Sequence, residues 1–191
     1  FAAEQQPGKA IEEYRTVLKL EPDLPGIHEA IGNILLHKAK LAEALNEFEE
    51  ELQIQPRSAS VLTNAGQVML MMGTDTGAAK MLTRALQMDQ PPPEAHLLLG
   101  KLDLRRKDYR SAVSELTHYV SMKKDDSTAY YLLARAYRAL GDKEQMDRAL
   151  AVFEKTSMDA KTRSRAQKDL ETFADESQSL EETAAQGRGS Q

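Results

Sequence analysis

The sequence predicts an all-α fold, an α-solenoid of antiparallel helix pairs, from three observations. Leu, Ala, Met, Glu, Lys, Arg and Gln, the good helix formers, are abundant, and β-branched residues nowhere alternate over the length of a strand. Small, large and turn-forming residues recur on one period of 34 residues. Gly and Asp punctuate the middle of these periods, where one helix has to stop and the next begin.

The period is carried by five coincident series. Pro22 and Pro56 close two apolar segments, and the same step leads to Gln90, beside Pro91-Pro92-Pro93, and to Lys124, before Asp125-Asp126. Small residues recur at Ala10, Ala44, Ala78 and Ala112, and large apolar ones at Tyr14, Phe48, Leu82, Leu116 and Leu150. A further small series runs Gly32, Gly66, Gly100 and Ala134, each preceded by an apolar residue (Ile31, Ala65, Leu99, Leu133). Full repeats therefore fall at 25–58, 59–92, 93–126 and 127–160, with the C-terminal half of an earlier one at 1–24.

Each repeat divides into a helix A and a helix B. In 59–92 helix A is expected at 59–72 and helix B at 75–88, with Gly73 as the left-handed stop and Asp75 as the cap of the second helix. Gly141-Asp142 repeats this arrangement, and Lys107-Asp108 keeps the cap with a weaker stop. Ser58 and Asp126 are start signals for A helices. The small series marks where helix A approaches helix B closely, and the large series fills the space between neighbouring pairs. Each large residue should contribute roughly 1.5–3 kcal/mol on burial. One pair cannot cover its own apolar face, so stacking supplies the core.

The pattern resembles the tetratricopeptide repeat, a 34-residue helix–turn–helix unit. The matching residues include Leu62-x-x-Ala65-Gly66-x-x-Met69, Tyr130-x-x-Leu133-Ala134-x-x-Tyr137, and Ala44-x-x-x-Phe48 with Pro56. The resemblance covers about residues 1–160 and implies a right-handed superhelix with a concave face lined by the A helices. His28 and His96 depart from it, standing where the family has bulky apolar residues; so do Asp103 and Met146. Beyond the last repeat, Ala166, Leu170, Phe173 and Ala174 share one face of an otherwise charged segment, 161–175, which suits a closing helix. Residues 176–191 are Ser, Glu, Gln and Gly without apolar periodicity and read as a disordered tail. The chain starts at Phe1 in what looks like mid-helix, so a fragment of a longer protein is expected, and the compartment stays open. The style of the repeats resembles bacterial members of the family.

Catalytic chemistry finds little support in the sequence. There is no cysteine, which removes thiolate catalysis and cysteine-ligated zinc. His28-Glu29-Ala30-Ile31-Gly32 begins like a metalloprotease helix, but Gly32 stands where the second ligand belongs. His28 and His96 read as half-buried packing residues with a satisfied ring nitrogen, and His118 as solvent-facing. Glu47, Glu49, Glu50 and Glu51 read as a solvated face. No Gly-rich phosphate loop occurs. The expectation is a protein that is not an enzyme and needs no cofactor or metal. The net charge of −5 argues against nucleic acid as a partner, and no apolar run reaches the length of a membrane span.

The resemblance implies that ligands bind the concave face of the A helices. The residues matching that face are Asn33 and His37, then Asn64, Gln67 and Met71, then Lys101 and Arg105, and finally Tyr131, Arg135 and Arg138. Its first half is neutral and amide-rich, suited to a peptide backbone. Its second half mixes apolar residues with four cations, suited to a carboxylate or phosphate on an acidic partner. Asn33 and Asn64 match two positions of the clamp that holds chaperone tails, but Glu29, Glu94 and Leu98 replace its basic residues, so that mode is not expected. The function expected is that of a scaffold or adaptor binding a protein or peptide segment in the groove. The alternatives are a regulatory or substrate-recruiting segment of a larger enzyme, and a self-association module using the open end at 1–24, where Tyr14 and Leu18 lack a partner helix.

Overall fold

The structure, a computed structural model, describes residues 7–158 and residue 161. Eight helices follow in order: α1 (Pro7–Leu20), α2 (Ile27–His37), α3 (Leu41–Ile54), α4 (Ala59–Met71), α5 (Asp75–Leu86), α6 (Pro93–Arg106), α7 (Tyr109–Met122) and α8 (Ser127–Leu140). A ninth helical segment, α9, covers 143–158. The described residues contain no strand, so the fold is the all-α repeat solenoid expected. The closing helix expected at 161–175 and the tail at 176–191 lie, residue 161 apart, outside the described residues.

Consecutive helices pack on one another throughout the array. The A helices α2, α4, α6 and α8 also touch the next A helix along, whereas α3, α5 and α7 do not touch one another. The A helices are thus the more crowded layer, and the array curves with that layer inside. Three apolar clusters follow one another along the stack. The first joins Ile31, Phe48 and Val61, the second Leu62, Leu82 and Ala95, and the third Leu116, Leu133 and Ala149, each drawing on neighbouring repeats. Tyr14 and Leu18 of α1 pack against the first cluster, so the coverage they were expected to lack is partly supplied. Among the described residues, the exposed large apolar ones at that end are Val17 and Leu20.

The small–large series has a direct steric meaning. A Cβ on Gly32 would lie 2.6 Å from the Phe48 ring, one on Gly66 2.7 Å from Leu82 Cγ, and one on Gly100 2.7 Å from Leu116 Cγ. Each large residue therefore sits on the glycine of its own pair as well as filling the space towards the next. The alanines one turn earlier on the B helices, Ala44, Ala78 and Ala112, are fully buried at the same crossing.

The termini follow the sequence with one exception. Ser58 Oγ accepts from Val61 N at 3.4 Å, Asp108 Oδ1 from Ser111 N at 3.2 Å, Asp126 Oδ1 from Thr128 N at 2.9 Å and Asp142 Oδ1 from Gln145 N at 3.1 Å. Gly73 and Gly141 take positive φ, and Lys107 does so without being glycine. Asp75 does not cap α5: Thr74 holds that position, and Asp75 is the first residue of the helix. Its carboxylate is turned to a cation of the next repeat instead.

Glu51 overturns the reading of the acidic run as a solvated face, because it is fully buried. The N-cap residue of α2 is Gly26, which has no side chain to cap with. From α3, Glu51 accepts from Gly26 N at 2.8 Å and Glu29 N at 3.2 Å, and Gln55 Nε2 donates to it at 2.6 Å. A buried carboxylate is tolerable where three donors and the positive end of a helix surround it. At the equivalent place in α7, the Tyr119 hydroxyl donates to Asp126 at 2.8 Å, tying α7 to the start of α8.

The glycine contact is testable by a sign reversal. Gly66→Ala gains about 1 kcal/mol of helix propensity but overpacks the crossing by about 1–3 kcal/mol, so urea unfolding should show a net loss. In a Leu82→Ala background the clash is gone, and the same substitution should become neutral or stabilising.

Candidate functional site on the face of the A helices

The residues expected on the concave face separate into three groups. In the first, Asn64 Nδ2 donates to Asn33 Oδ1 at 3.0 Å, joining α4 to α2. Each amide keeps hydrogen-bonding capacity, because Asn33 still has its NH₂ group and Asn64 its carbonyl. His37 is exposed and donates from Nδ1 to the Asn33 carbonyl at 2.7 Å.

The second group is the most developed. Gln67, Leu70 and Met71 of α4 face Leu98, Lys101, Leu102 and Arg105 of α6 across an open hollow of about 310 Å³. Four of the expected residues meet here, on two consecutive A helices. The walls are aliphatic and thioether, Met71 is exposed, and the two cations are one helical turn apart. Lys101 makes no ion pair among the described residues. Arg105 is engaged: Nη2 pairs with the Asp75 carboxylate, and Nη1 donates to the Leu70 carbonyl at 3.4 Å. Arg106 Nη2 donates to the Asp75 carbonyl at 2.9 Å, so two arginines of one repeat grip the first residue of α5. The sequence carries no local signal for this, since Asp75 and Arg105 are 30 residues apart.

The third group lies at the far end. Arg135 and Arg138 line a smaller hollow of about 70 Å³ with Ala134, Met146 and Leu150. The Tyr131 ring tilts against Phe153 with centroids 5.7 Å apart. The four cations thus form two pairs in two hollows, rather than one continuous strip.

His28 and His96 are packing residues with carboxylate partners. His28 Nδ1 meets Glu47 Oε2 at 2.7 Å, and His96 Nδ1 meets Glu115 Oε2 at 2.7 Å, each half-buried between helix A and helix B. The two pairs are related by two repeats. Leu62 with Met81 and Tyr130 with Ala149 occupy the same positions in the repeats that follow them. His118 is exposed, donates to the Ser114 carbonyl at 2.9 Å, and stacks on His96 with centroids 5.3 Å apart. Among the described residues no group of three His, Asp or Glu side chains could hold a metal ion. No helix of the described residues is long and apolar enough to cross a membrane. Asp103 is buried nearby, and burial, then the Asp108 and Glu115 charges, push its pKa up to about 6.

Comparison with known proteins agrees with this architecture. The family model described as tetratricopeptide repeat matches residues 1–59 and 97–156. Human tetratricopeptide repeat protein 13 is 29% identical over 129 residues, covering 68% of this chain and 15% of its own length. Human DnaJ homolog subfamily C member 3 is 24% identical over 159 residues, covering 75% of this chain and 32% of its own. The chain therefore spans a third or less of these curated relatives. Among solved structures, one of MamA superposes with a TM-score of 0.70 at 19% identity, covering 86% of this chain and 98% of that one. YrrB, described as a TPR protein with an unusual peptide-binding site, superposes at 0.69 with 18% identity, covering 87% and 86%. PilF of Pseudomonas aeruginosa gives 0.72 at 18% identity, covering 81% and 72%. Relatives from human and bacterial sources both match, so the likeness assigns no origin.

Two outcomes follow from the buried polar groups. Changing His96→Leu or Glu115→Met singly should cost about 1 kcal/mol by stranding the partner. The double variant, which copies Leu62 and Met81, should fall within about 1 kcal/mol of the parent in chemical denaturation. Asp103 has a raised pKa in the folded state, so its contribution is complete below about pH 3.8 and is lost as pH rises through about 6. Asp103→Asn should accordingly gain about 1–2 kcal/mol over the parent at pH 8 and little at pH 4, read by unfolding at both pH values.

Proposed function

Because the chain belongs to the tetratricopeptide repeat family, we propose that it is a non-catalytic scaffold holding a peptide or protein segment on the face of its A helices. The observation that carries this is the hollow between α4 and α6, where Gln67, Met71, Lys101 and Arg105 meet around apolar walls. An adaptable Met, an amide and a cation over aliphatic walls suit an extended segment with both apolar and acidic side chains. YrrB, alike in fold, is described as having an unusual peptide-binding site, which supports peptide binding by such an array without placing the site on it. The paired amides of Asn33 and Asn64 extend the face towards the N-terminal repeats.

A second reading places the array inside a larger protein, where the same face recruits a substrate or regulator to another domain. It is favoured by the small share of the curated relatives that the chain spans. Self-association through the N-terminal end is favoured by Leu20, which is 81% exposed. Mass measured against concentration separates that reading from the others.

The test uses the immobilised chain beside two variants. Met71→Glu with Lys101→Glu alters the hollow, and Arg110→Glu alters an exposed position on helix α7. A partner should be lost by the first variant, with affinity reduced about tenfold or more, and retained by the second. Equal retention by both would move the site off the A-helix face.

A further inference from the structure

We propose that the hollow between α4 and α6 takes a peptide carboxylate beside an aliphatic side chain, and that Asp75 is a built-in competitor for Arg105 that sets the affinity. This rests on the reading of the A-helix face as the binding surface and specifies its chemistry.

Lys101 and Arg105 stand one turn apart on α6 and line the same hollow as Leu70, Met71 and Leu98. A carboxylate placed between two such cations gains two charge-assisted contacts, while the neighbouring aliphatic side chain fills the apolar part of the hollow. The cations are not equivalent. Lys101 has no ion-pair partner among the described residues, whereas Arg105 is paired with the Asp75 carboxylate. Asp75 is free for this because Thr74, not Asp75, holds the N-cap position of α5. Both side chains of the pair are partly exposed, 46% for Arg105 and 31% for Asp75, so a ligand carboxylate can reach the guanidinium. The Asp75 backbone stays anchored by Arg106 through its carbonyl, at 2.9 Å, even when its carboxylate is displaced. The exchange of one carboxylate for another therefore leaves the first turn of α5 in place.

The experiment titrates the 15N-labelled chain with acetyl-Leu-Asp-Leu-amide and with its Asn counterpart, following amide shifts by NMR. In the parent, the acidic probe should move signals of Met71, Leu98 and Lys101 more than the neutral probe does. Asp75→Asn should tighten the acidic probe about three- to tenfold, leave the neutral probe unchanged, and lose its effect in an Arg105→Gln background. Lys101→Gln, which breaks no ion pair among the described residues, should weaken the acidic probe about threefold or more, and so provides an arm that does not depend on Asp75. Asp75→Asn affecting both probes alike or neither, or Lys101→Gln having no effect, would overturn the proposal. Shifts confined to the Asn33 and Asn64 end would also overturn it while leaving the A-helix face as the binding surface. No shift on any A helix would sink both.

Discussion

The crossing of glycine against a large apolar side chain is the contact on which the array depends. Gly32 under Phe48, Gly66 under Leu82 and Gly100 under Leu116 leave no room for a Cβ, so the two helices of a pair approach closely and at one fixed height. The buried alanines one turn away keep the crossing narrow. Every later feature inherits this spacing. The A helices come near enough for Asn64 to reach Asn33 and for α4 and α6 to enclose a hollow. The B helices stay apart, and the stack curves accordingly.

Much of this was legible because it repeats. A residue type recurring every 34 positions reports a packing constraint that every repeat shares, and the glycines, alanines and large residues do so without help from the structure. Caps were equally legible at Ser58, Asp108, Asp126 and Asp142, because the acceptor and its helix are neighbours in the chain. The sequence misled where a side chain serves another element. Glu51 looks like one acid among several on α3, yet it completes the start of α2, 25 residues before it. Asp75 looks like a cap, yet Arg105 from the following repeat claims it. Such pairings occur once, so no periodicity marks them.

The candidate site was legible as a list of residues and not as an arrangement. Counting along the repeat selected Gln67, Met71, Lys101 and Arg105, which meet in one hollow. The same counting placed Arg135 and Arg138 on the same surface, where they belong to a separate hollow with Met146 and Leu150. Position within a repeat fixes the face of the helix, whereas partners across the groove depend on side-chain length and on which acids lie nearby. Lys101 and Arg105 have the same charge but differ in this respect, and only the three-dimensional contacts distinguish them.

The His–Glu pairs divide the array differently from its glycines. His28 with Glu47 and His96 with Glu115 fall in alternate repeats, and apolar or aromatic side chains occupy the intervening ones. For these His–Glu pairs the repeating unit is thus two repeats long, although the backbone unit is one. Excising a single repeat would keep the helical register but bring two units of like kind together, whereas excising two would preserve the alternation. Shortening or lengthening such a solenoid by even numbers of repeats is therefore the route that preserves the alternation of the His–Glu pairs.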